Sequence, residues 1–201
     1  MPFLQAAQAQ KHVTVNEALG RVDALAQIFL ISRSVQTPPT LVEEGDTYAL
    51  PSGVTNAWYG MDGKVAIYLN GGWVFATPRL GWRSWIADEA ASAVHDGVQW
   101  VEDAVSVSAG GAATKFKTVE FDHTIAAGPS SATAVTIPGG EQVIGVTGRI
   151  LTGITGALTS WDLGVSGSSN RYGSGLGLSQ HSWIRGLTGA PLTYWSDTPL
   201  L

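Results

Sequence analysis

The chain has 201 residues and a net charge of −5, and only 13% of its residues are charged. Its 11 Lys and Arg residues form no cluster, which argues against a nucleic-acid binder, because such proteins carry a basic patch. No cysteine is present, so disulfides and thiolate metal sites are excluded. With 25 glycines and eight tryptophans, the composition favours a fibre, shell or lectin-like protein over an enzyme, although any all-β sandwich shares it.

Neither a leader nor a membrane span is indicated. The first residues lack the basic and apolar stretches of a signal peptide, so we expect none. No stretch contains the roughly 18 consecutive apolar residues that a transmembrane helix needs, so we expect no membrane insertion.

Residues 1–34 carry the strongest helical pattern. Thr14 and Glu17 have the spacing of a capping box, which predicts a helix start at Thr14. An apolar stripe with alternating spacings of four and three follows on one helical face. It consists of Val15, Leu19, Val22, Ala26 and Phe29. The helix either packs through this stripe against copies of itself, making it an oligomer interface, or lies on its own domain.

Residues 35–105 predict a small module of β-hairpins. The dipeptides Asn70-Gly71 and Asp96-Gly97 are hairpin turns, because Asn, Asp and Gly tolerate positive φ. Residues 106–114 are small, uncharged and rich in Gly and Ser, which is typical of a linker.

Residues 115–201 predict a second β unit. Ile144, Val146 and Gly148 alternate with Gly145, Thr147 and Arg149, which is the period of a strand with two different faces. Short strands between Gly-rich turns favour a C-terminal β-sandwich, jelly-roll-like in type. The predicted fold class is therefore mainly β, with an N-terminal helix, a hairpin module and this sandwich.

Residues capable of catalysis are sparse. The four histidines show no metal-ligand spacing, so we expect no metal and no cofactor. A glycosidase needs two carboxylates, and the candidates are Asp88 with Glu89, Glu102 with Asp103, and Asp162. Adjacent side chains on a strand point to opposite faces, so the sequence favours solvated turn carboxylates and a protein that is not an enzyme. A polysaccharide-degrading enzyme is the alternative.

The aromatic residues of the second β unit form the second candidate site. Aromatic rings stack on the apolar faces of sugars, while nearby polar side chains bind the hydroxyl groups. The carbohydrate-binding candidates are Asn170, Arg171, Tyr172, Trp183 and Tyr194. The competing interpretation is that these rings fill a thin β core or a subunit interface, where aromatics are also enriched. For Trp73, Trp85 and Trp100 in the hairpin module, the sequence favours this second interpretation.

Several blocks of the sequence are similar to a known family. The first and most specific runs from Gln8 to Leu19, and the second is Gly81-Trp82-Arg83-Ser84-Trp85. Others are Gly45-Asp46-Thr47-Tyr48 and, near the C-terminus, Arg171-Tyr172-Gly173-Ser174-Gly175. On these residues the chain resembles domain of unknown function 2793 (DUF2793) over nearly its whole length.

The resemblance implies a particle-surface function. Proteins of this family occur in tailed phages and in phage-like gene transfer agents, where they resemble head-spike or fibre components. It implies a homo-oligomer, a pentamer or a trimer, that attaches to the capsid and other spike or fibre proteins and promotes adhesion to host capsular polysaccharide. It also implies assembly in the cytoplasm and release by lysis. Longer members continue beyond Pro199-Leu200-Leu201, so the resemblance raises the expectation of a shortened form.

Three functions remain open from the sequence. The first is an adhesive structural component of a particle surface. The second is a polysaccharide-degrading enzyme. The third is a purely structural spike base, in which another chain carries the sugar site.

Overall fold

The computed structural model describes residues 11–201, except for the side chains of residues 11–14 and of Thr188. It divides into two compact units. The first, unit 1, extends to Thr118, and the second, unit 2, comprises Val119–Leu201. Strands dominate both units, which confirms the predicted mainly β class with an N-terminal helix. Within the described residues, no helix has the length and apolar character needed to cross a bilayer.

Unit 1 begins with helix α1, Lys11–Ala26. Thr14 lies inside the helix, so the predicted cap at that residue is wrong. The helix also ends earlier than residue 34, because the chain enters strand β1, Ile28–Leu30, whose outer two residues are buried and whose middle residue, Phe29, is exposed. This alternation is a strand pattern, and it moves Phe29 off the helix.

Two sheets complete most of unit 1. The three-stranded sheet has the order β2-β3-β4, with β2 at Thr47–Ala49, β3 at Val65–Leu69 and β4 at Gly72–Ala76. The four-stranded sheet has the order β1-β5-β6-β7, with β5 at Arg83–Ile86, β6 at Ala91–His95 and β7 at Trp100–Glu102. Strand β1 is parallel to β5, whereas the other neighbours are antiparallel.

The predicted Asn70-Gly71 turn joins β3 to β4. Both residues have positive φ, 53° at Asn70 and 76° at Gly71, as a two-residue hairpin turn of this type requires. The strand register, in which Leu69 pairs with Gly72, leaves only these two residues in the loop.

The core of unit 1 forms two clusters. One joins the sheets and α1 through residues that include Leu30, Ile67 and Ile86, each with no solvent exposure. The other is aromatic, with Trp58 fully buried between Tyr48 and Trp73 at ring-centroid distances of 5.3 and 5.0 Å. Apolar burial at this density is the principal stabilising term in a domain of this size.

The segment predicted as a linker is instead a hairpin. Strands β8, Ala104–Val107, and β9, Ala113–Lys115, pair antiparallel across residues 108–112. The glycine of this segment has a role in the hairpin turn, because Gly111 adopts a positive φ of 87°, which other residues rarely adopt. The boundary between the two units therefore falls after Thr118 and not within residues 106–114.

Unit 2 consists of three antiparallel two-stranded ladders. The shortest ladder joins β10, Thr136–Ile137, to β15, Thr198–Pro199. The longest ladder joins β11, Gln142–Arg149, to β14, Trp183–Thr193. The third joins β12, Trp161–Val165, to β13, Ser168–Leu176. Unit 2 is therefore β-rich as predicted, with paired strands around one core, while the predicted jelly-roll-like sandwich stays a prediction.

That core contains few residues. It is formed by Leu163, Val165, Tyr172, Ile184, Tyr194 and Leu200. Gly186 lets β14 approach β13 closely, since a Cβ at this position would lie 2.2 Å from the carbonyl oxygen of Tyr172. Any larger residue at position 186 would push the two strands apart.

Candidate functional site

Helix α1 contacts its own unit through a face different from the predicted stripe. Gly20 packs on Leu69, where a Cβ would lie 3.1 Å from the nearest side-chain carbon, and Ala24 and Leu25 pack against the core. Gly20 and Ala24 are four residues apart, and Leu25 is adjacent, so they form one helical face. The absence of a side chain at Gly20 allows the helix to lie close to the sheet.

The predicted stripe is largely left open. Val15 is 39% exposed and Val22 is 59% exposed, while Ala26 is exposed and Leu19 is half-buried. Phe29 is 52% exposed on β1, and its register partner Trp85 on β5 is 42% exposed. Directly paired residues share a face of the sheet, so these two side chains lie on the same face of the four-stranded sheet. Trp85 is therefore not a core residue, unlike Trp58 and Trp100.

A groove of about 340 Å³ lies beside Phe29, between α1 and the loop before β2. Its walls include three carboxylates, from Asp23, Glu44 and Asp46. Two of them stabilise the loops, because Glu44 accepts a hydrogen bond from the backbone N–H of Asn70 at 2.7 Å and Asp46 accepts one from that of Glu43 at 2.9 Å. These bonds account for the loop geometry without a ligand.

The carboxylates considered for glycoside hydrolysis lie in other contacts. Arg33 donates from Nε to Glu89 at 2.8 Å, reaches Glu102 at 3.5 Å and donates to the carbonyl oxygen of Trp100 at 2.7 Å. Lys117 lies 3.6 Å from Asp103. Glu89 and Glu102 therefore share one guanidinium group, which ties the end of β1 to β7.

Two of the candidate carboxylates, Asp88 and Asp162, lie outside the ion pairs of Arg33 and Lys117, and Asp88 is exposed. Asp162 accepts a hydrogen bond from the N–H of Gly175 at 2.9 Å, within its own ladder. His95 is buried beside Trp100 and accepts a hydrogen bond from the N–H of Gly97, and burial lowers the pKa of His95. Among the described residues, no three His, Asp or Glu side chains gather as metal ligands would.

Two of the five predicted carbohydrate-binding residues belong to the core of unit 2. Tyr172 is 2% exposed, Tyr194 is 6% exposed, and their hydroxyl groups form a hydrogen bond of 2.7 Å with each other. Burial and the bond to Tyr194 raise the pKa of Tyr172 to about 12. Neither ring offers a face on which a sugar could stack, so these two residues support the competing core interpretation.

The other three predicted residues reach the surface. Trp183 is 66% exposed at the start of β14. Asn170 is exposed on β13, whereas Arg171 is half-buried and donates to the carbonyl oxygen of Ala190 at 2.8 Å. Of the rings predicted to bind sugar, only that of Trp183 is free to stack on a ligand.

The outer face of the β11–β14 ladder surrounds Trp183 with residues that the sequence prediction missed. Along β14, Trp183, Arg185 and Leu187 are exposed and alternate with buried Ile184 and Gly186. Across the ladder, Trp183 pairs with Arg149 and Arg185 pairs with Thr147. We call this exposed face the outer strip, formed by Thr147, Arg149, Trp183, Arg185 and Leu187. The alternation of β11 was readable in the sequence, but its register against Trp183 was not.

Comparison with known proteins finds a family match for part of unit 1. Residues 15–101 match the model of the family described as "Protein of unknown function (DUF2793)", which confirms the predicted resemblance over these residues. The chain therefore carries a DUF2793 region that includes most of α1 and both sheets of unit 1. Residues 102–201, with all of unit 2, lie outside the match, so the predicted resemblance there stays a prediction. A search of curated proteins finds no match.

Proposed function

We propose that this protein is a structural component of the surface of a phage-like particle, such as a head spike or fibre, that assembles as a homo-oligomer. In this proposal it attaches to the capsid with other spike or fibre proteins, adheres to host capsular polysaccharide, and is assembled in the cytoplasm and released by lysis. The resemblance of the sequence to particle proteins supports the setting. The exposed stripe of α1 is the observation that carries the proposal.

The stripe supports self-association because α1 is apolar on two sides. Its inner side is used by the core through Gly20, Ala24 and Leu25, and in the part of unit 1 that the structure describes the second side keeps Val15, Val22 and Ala26 exposed. Burying an exposed Val side chain contributes roughly 1.5–3 kcal/mol, and Val22 and Phe29 retain about half of their exposure. Copies arranged around a symmetry axis, three or five in number, would bury these side chains against each other.

Unit 2 supports the adhesive part of the function. Trp183 is 66% exposed on the outer face of the β11–β14 ladder, so its indole ring is accessible for stacking on a sugar ring. An oligomer presents several such faces at once, and multivalent display turns weak binding at each face into useful avidity.

Sedimentation of matched variants tests the oligomer. We expect the wild-type protein to sediment as a trimer or pentamer and Val22→Asp to dissociate it, because a charge would be buried at the shared stripe. Leu41→Asp is the control, since Leu41 is 90% exposed and lies outside the stripe. A wild-type monomer at high protein concentration contradicts the proposal, as does an equal effect of both substitutions.

The particle setting has its own test. Antibody labelling of purified particles followed by electron microscopy should place this chain on the particle surface. Its absence from intact particles would overturn the assignment whatever its oligomeric state. Wild-type protein that is present on particles but does not bind purified capsule would favour the purely structural spike base.

A further inference from the structure

We propose that the outer strip of unit 2 binds an anionic polysaccharide, with Trp183 stacking on a sugar ring and Arg149 and Arg185 binding its carboxylate groups. The inference rests on the adhesive function proposed above, and it names the chemical class of the ligand and the residues that recognise it.

The strand register places the three side chains within reach of one ligand. Arg149 is directly opposite Trp183, and side chains so paired have Cβ atoms about 5 Å apart. Arg185 lies two residues along β14 from Trp183 on the same face, a spacing of about 7 Å. An indole ring is therefore flanked by a guanidinium group on the neighbouring strand and by another on its own strand. Successive sugars of a polymer running over this face would meet apolar and cationic groups in turn.

The charge of the strip is opposite to that of the protein. Unit 2 has three cationic side chains, at Arg149, Arg171 and Arg185, and two of them lie on the strip although the whole chain has a net charge of −5. Among the described residues, neither strip arginine forms an ion pair, whereas Arg33 of unit 1 binds two carboxylates. Free guanidinium groups bind carboxylates in bidentate geometry, and no acidic side chain competes for these two.

The shape of the strip favours an extended ligand. Gly145 lies opposite Leu187 and Thr147 lies opposite Arg185, so the β11 side of the strip has small side chains at every position except Arg149. The inward Ile184 and Gly186 are buried and hold β14 in place beneath the exposed residues. A chain of sugars can lie across such a face without displacing protein groups, because the binding surface is already formed.

A second copy of the chain is a poorer occupant of this face. In a symmetric pairing, the arginines of one strip would meet those of the other, and no carboxylate on the strip would compensate the repulsion. A nucleic acid is also disfavoured, since two arginines do not make the basic stripe on which phosphate backbones bind. A polymer with carboxylates spaced by sugar rings fits both the number and the spacing of the charges.

The test measures binding of the full chain to three immobilised polymers: polygalacturonate, its methyl ester and duplex DNA. The ester has the same sugar rings without the charge, so it isolates the contribution of the arginines. We expect wild type to prefer polygalacturonate to the ester, and Trp183→Ala to weaken polygalacturonate binding roughly tenfold. We expect Arg149→Ala/Arg185→Ala to remove the preference for the acid.

Matched controls separate the strip from general effects. Trp195→Ala removes a tryptophan that is 87% exposed outside the ladder. Arg79→Ala/Lys115→Ala removes two exposed cations of unit 1. Both controls should bind polygalacturonate as wild type does. Equal losses in the controls and the strip variants would overturn the proposal, and so would binding of DNA as tight as that of polygalacturonate.

The remaining outcomes distinguish the two proposals. If wild type binds acid and ester equally and Trp183→Ala weakens both, adhesion through this face stands but the anionic class is wrong. Binding that none of the strip variants changes refutes the strip and leaves the adhesive function intact. Failure of wild type to bind any polysaccharide, purified capsule included, refutes the adhesive function itself. A change in the sedimentation of Trp183→Ala would assign the face to a subunit interface and overturn the proposal.

Discussion

Units 1 and 2 are both β-rich, but they bury their apolar residues to different extents. Among the described residues, the large side chains with less than 2% exposure all belong to unit 1: Trp58, Leu30, Ile67, Ile86 and Val65. In unit 2 the core side chains of Leu163, Ile184 and Leu200 each remain 8% exposed, and a tyrosine pair lies among them. The largest core side chains of unit 1 are therefore fully enclosed, whereas unit 2 has a thin core with a polar centre.

The difference follows from the arrangement of strands. Unit 1 places a helix and two sheets around its core, so most core residues are covered from several sides. Unit 2 has only two-stranded ladders, and the outward side chains of β11 and β14, such as Arg149, Trp183 and Arg185, stay exposed. The same openness that weakens the core of unit 2 leaves Trp183, Arg149 and Arg185 available to a ligand. The enclosed core of unit 1 and the exposed side chains of unit 2 follow from the different widths of their sheets.

The largest expected effect compares matched isoleucines in the two cores. Ile67→Ala in unit 1 should cost about 2–5 kcal/mol, near the upper end because Ile67 has no exposure. Ile184→Ala in unit 2 should lie near the lower end, because Ile184 is still 8% exposed and its removal leaves a site that solvent can reach. Hydrogen exchange measured on peptides from β3 and β14 gives the local free energy of opening for each unit. Equal losses would contradict the difference between the cores.

The tyrosine pair provides the second comparison. Tyr172→Phe should destabilise unit 2 by about 1–3 kcal/mol, because the hydroxyl group of Tyr194 is left buried without its partner. Tyr172→Phe/Tyr194→Phe should cost less than the single change, since both polar groups are removed together. Urea unfolding of the two variants measures this, and a double variant less stable than the single one would show that the pair is not the polar centre of the core.

Alkaline pH should weaken unit 2 through the same pair. Tyr172 ionises at an ordinary pKa of 10.0 when unfolded and at about 12 when folded, so its contribution is fully present below pH 10. Between pH 10 and about 12 the unfolded state loses the proton first, and stability falls by at most about 1.4 kcal/mol per pH unit. Across this window wild type should therefore lose stability relative to Tyr172→Phe/Tyr194→Phe. Urea unfolding at several pH values measures the free energy of unfolding of both proteins. Tyr48 is present in both proteins, so its contribution cancels in the comparison. A difference in free energy of unfolding that does not change with pH would contradict the raised pKa of Tyr172.

The smallest effect concerns the charged groups on the surface of unit 1. Glu89→Gln should cost less than about 1 kcal/mol, because its ion pair with Arg33 is partly solvated and Arg33 keeps its bond to the carbonyl oxygen of Trp100. Arg33→Met, which keeps the aliphatic stem, should cost more, since all three contacts are lost. Thermal unfolding of both variants checks the order, and the reverse order would show that the bond from Arg33 to the carbonyl oxygen of Trp100 contributes little to stability.

Some elements were predictable because their causes are local. The Asn70-Gly71 turn depends on two residues that tolerate positive φ, and the helix depends on a repeating apolar pattern within one segment. The linker prediction was wrong because local composition did not distinguish between two structures. Gly and Ser at residues 106–114 fit a flexible segment and a hairpin turn equally well, and only the pairing of β8 with β9 distinguishes them.

The candidate sites were only partly predictable. Phe29 continued the spacing of the helical stripe, yet the helix ended at Ala26, because burying Ile28 and Leu30 in a sheet outweighed one more helical turn. Tyr172 and Trp183 looked alike as aromatic residues in Gly-rich surroundings. Which of them is covered depends on contacts between strands that are distant in sequence, and Tyr172 meets Tyr194 across 22 residues.

The sequence by itself determined the β-rich class, the helix, the tight turns and the family of residues 15–101, since each depends on composition or on short-range patterns. The tertiary structure decided which rings form the core and which reach solvent. A period of two gives every strand two faces, but it does not say which face the rest of the chain covers. That choice is made by strand pairing, and it turned Tyr172 inward and left Trp183 beside Arg149 on the surface.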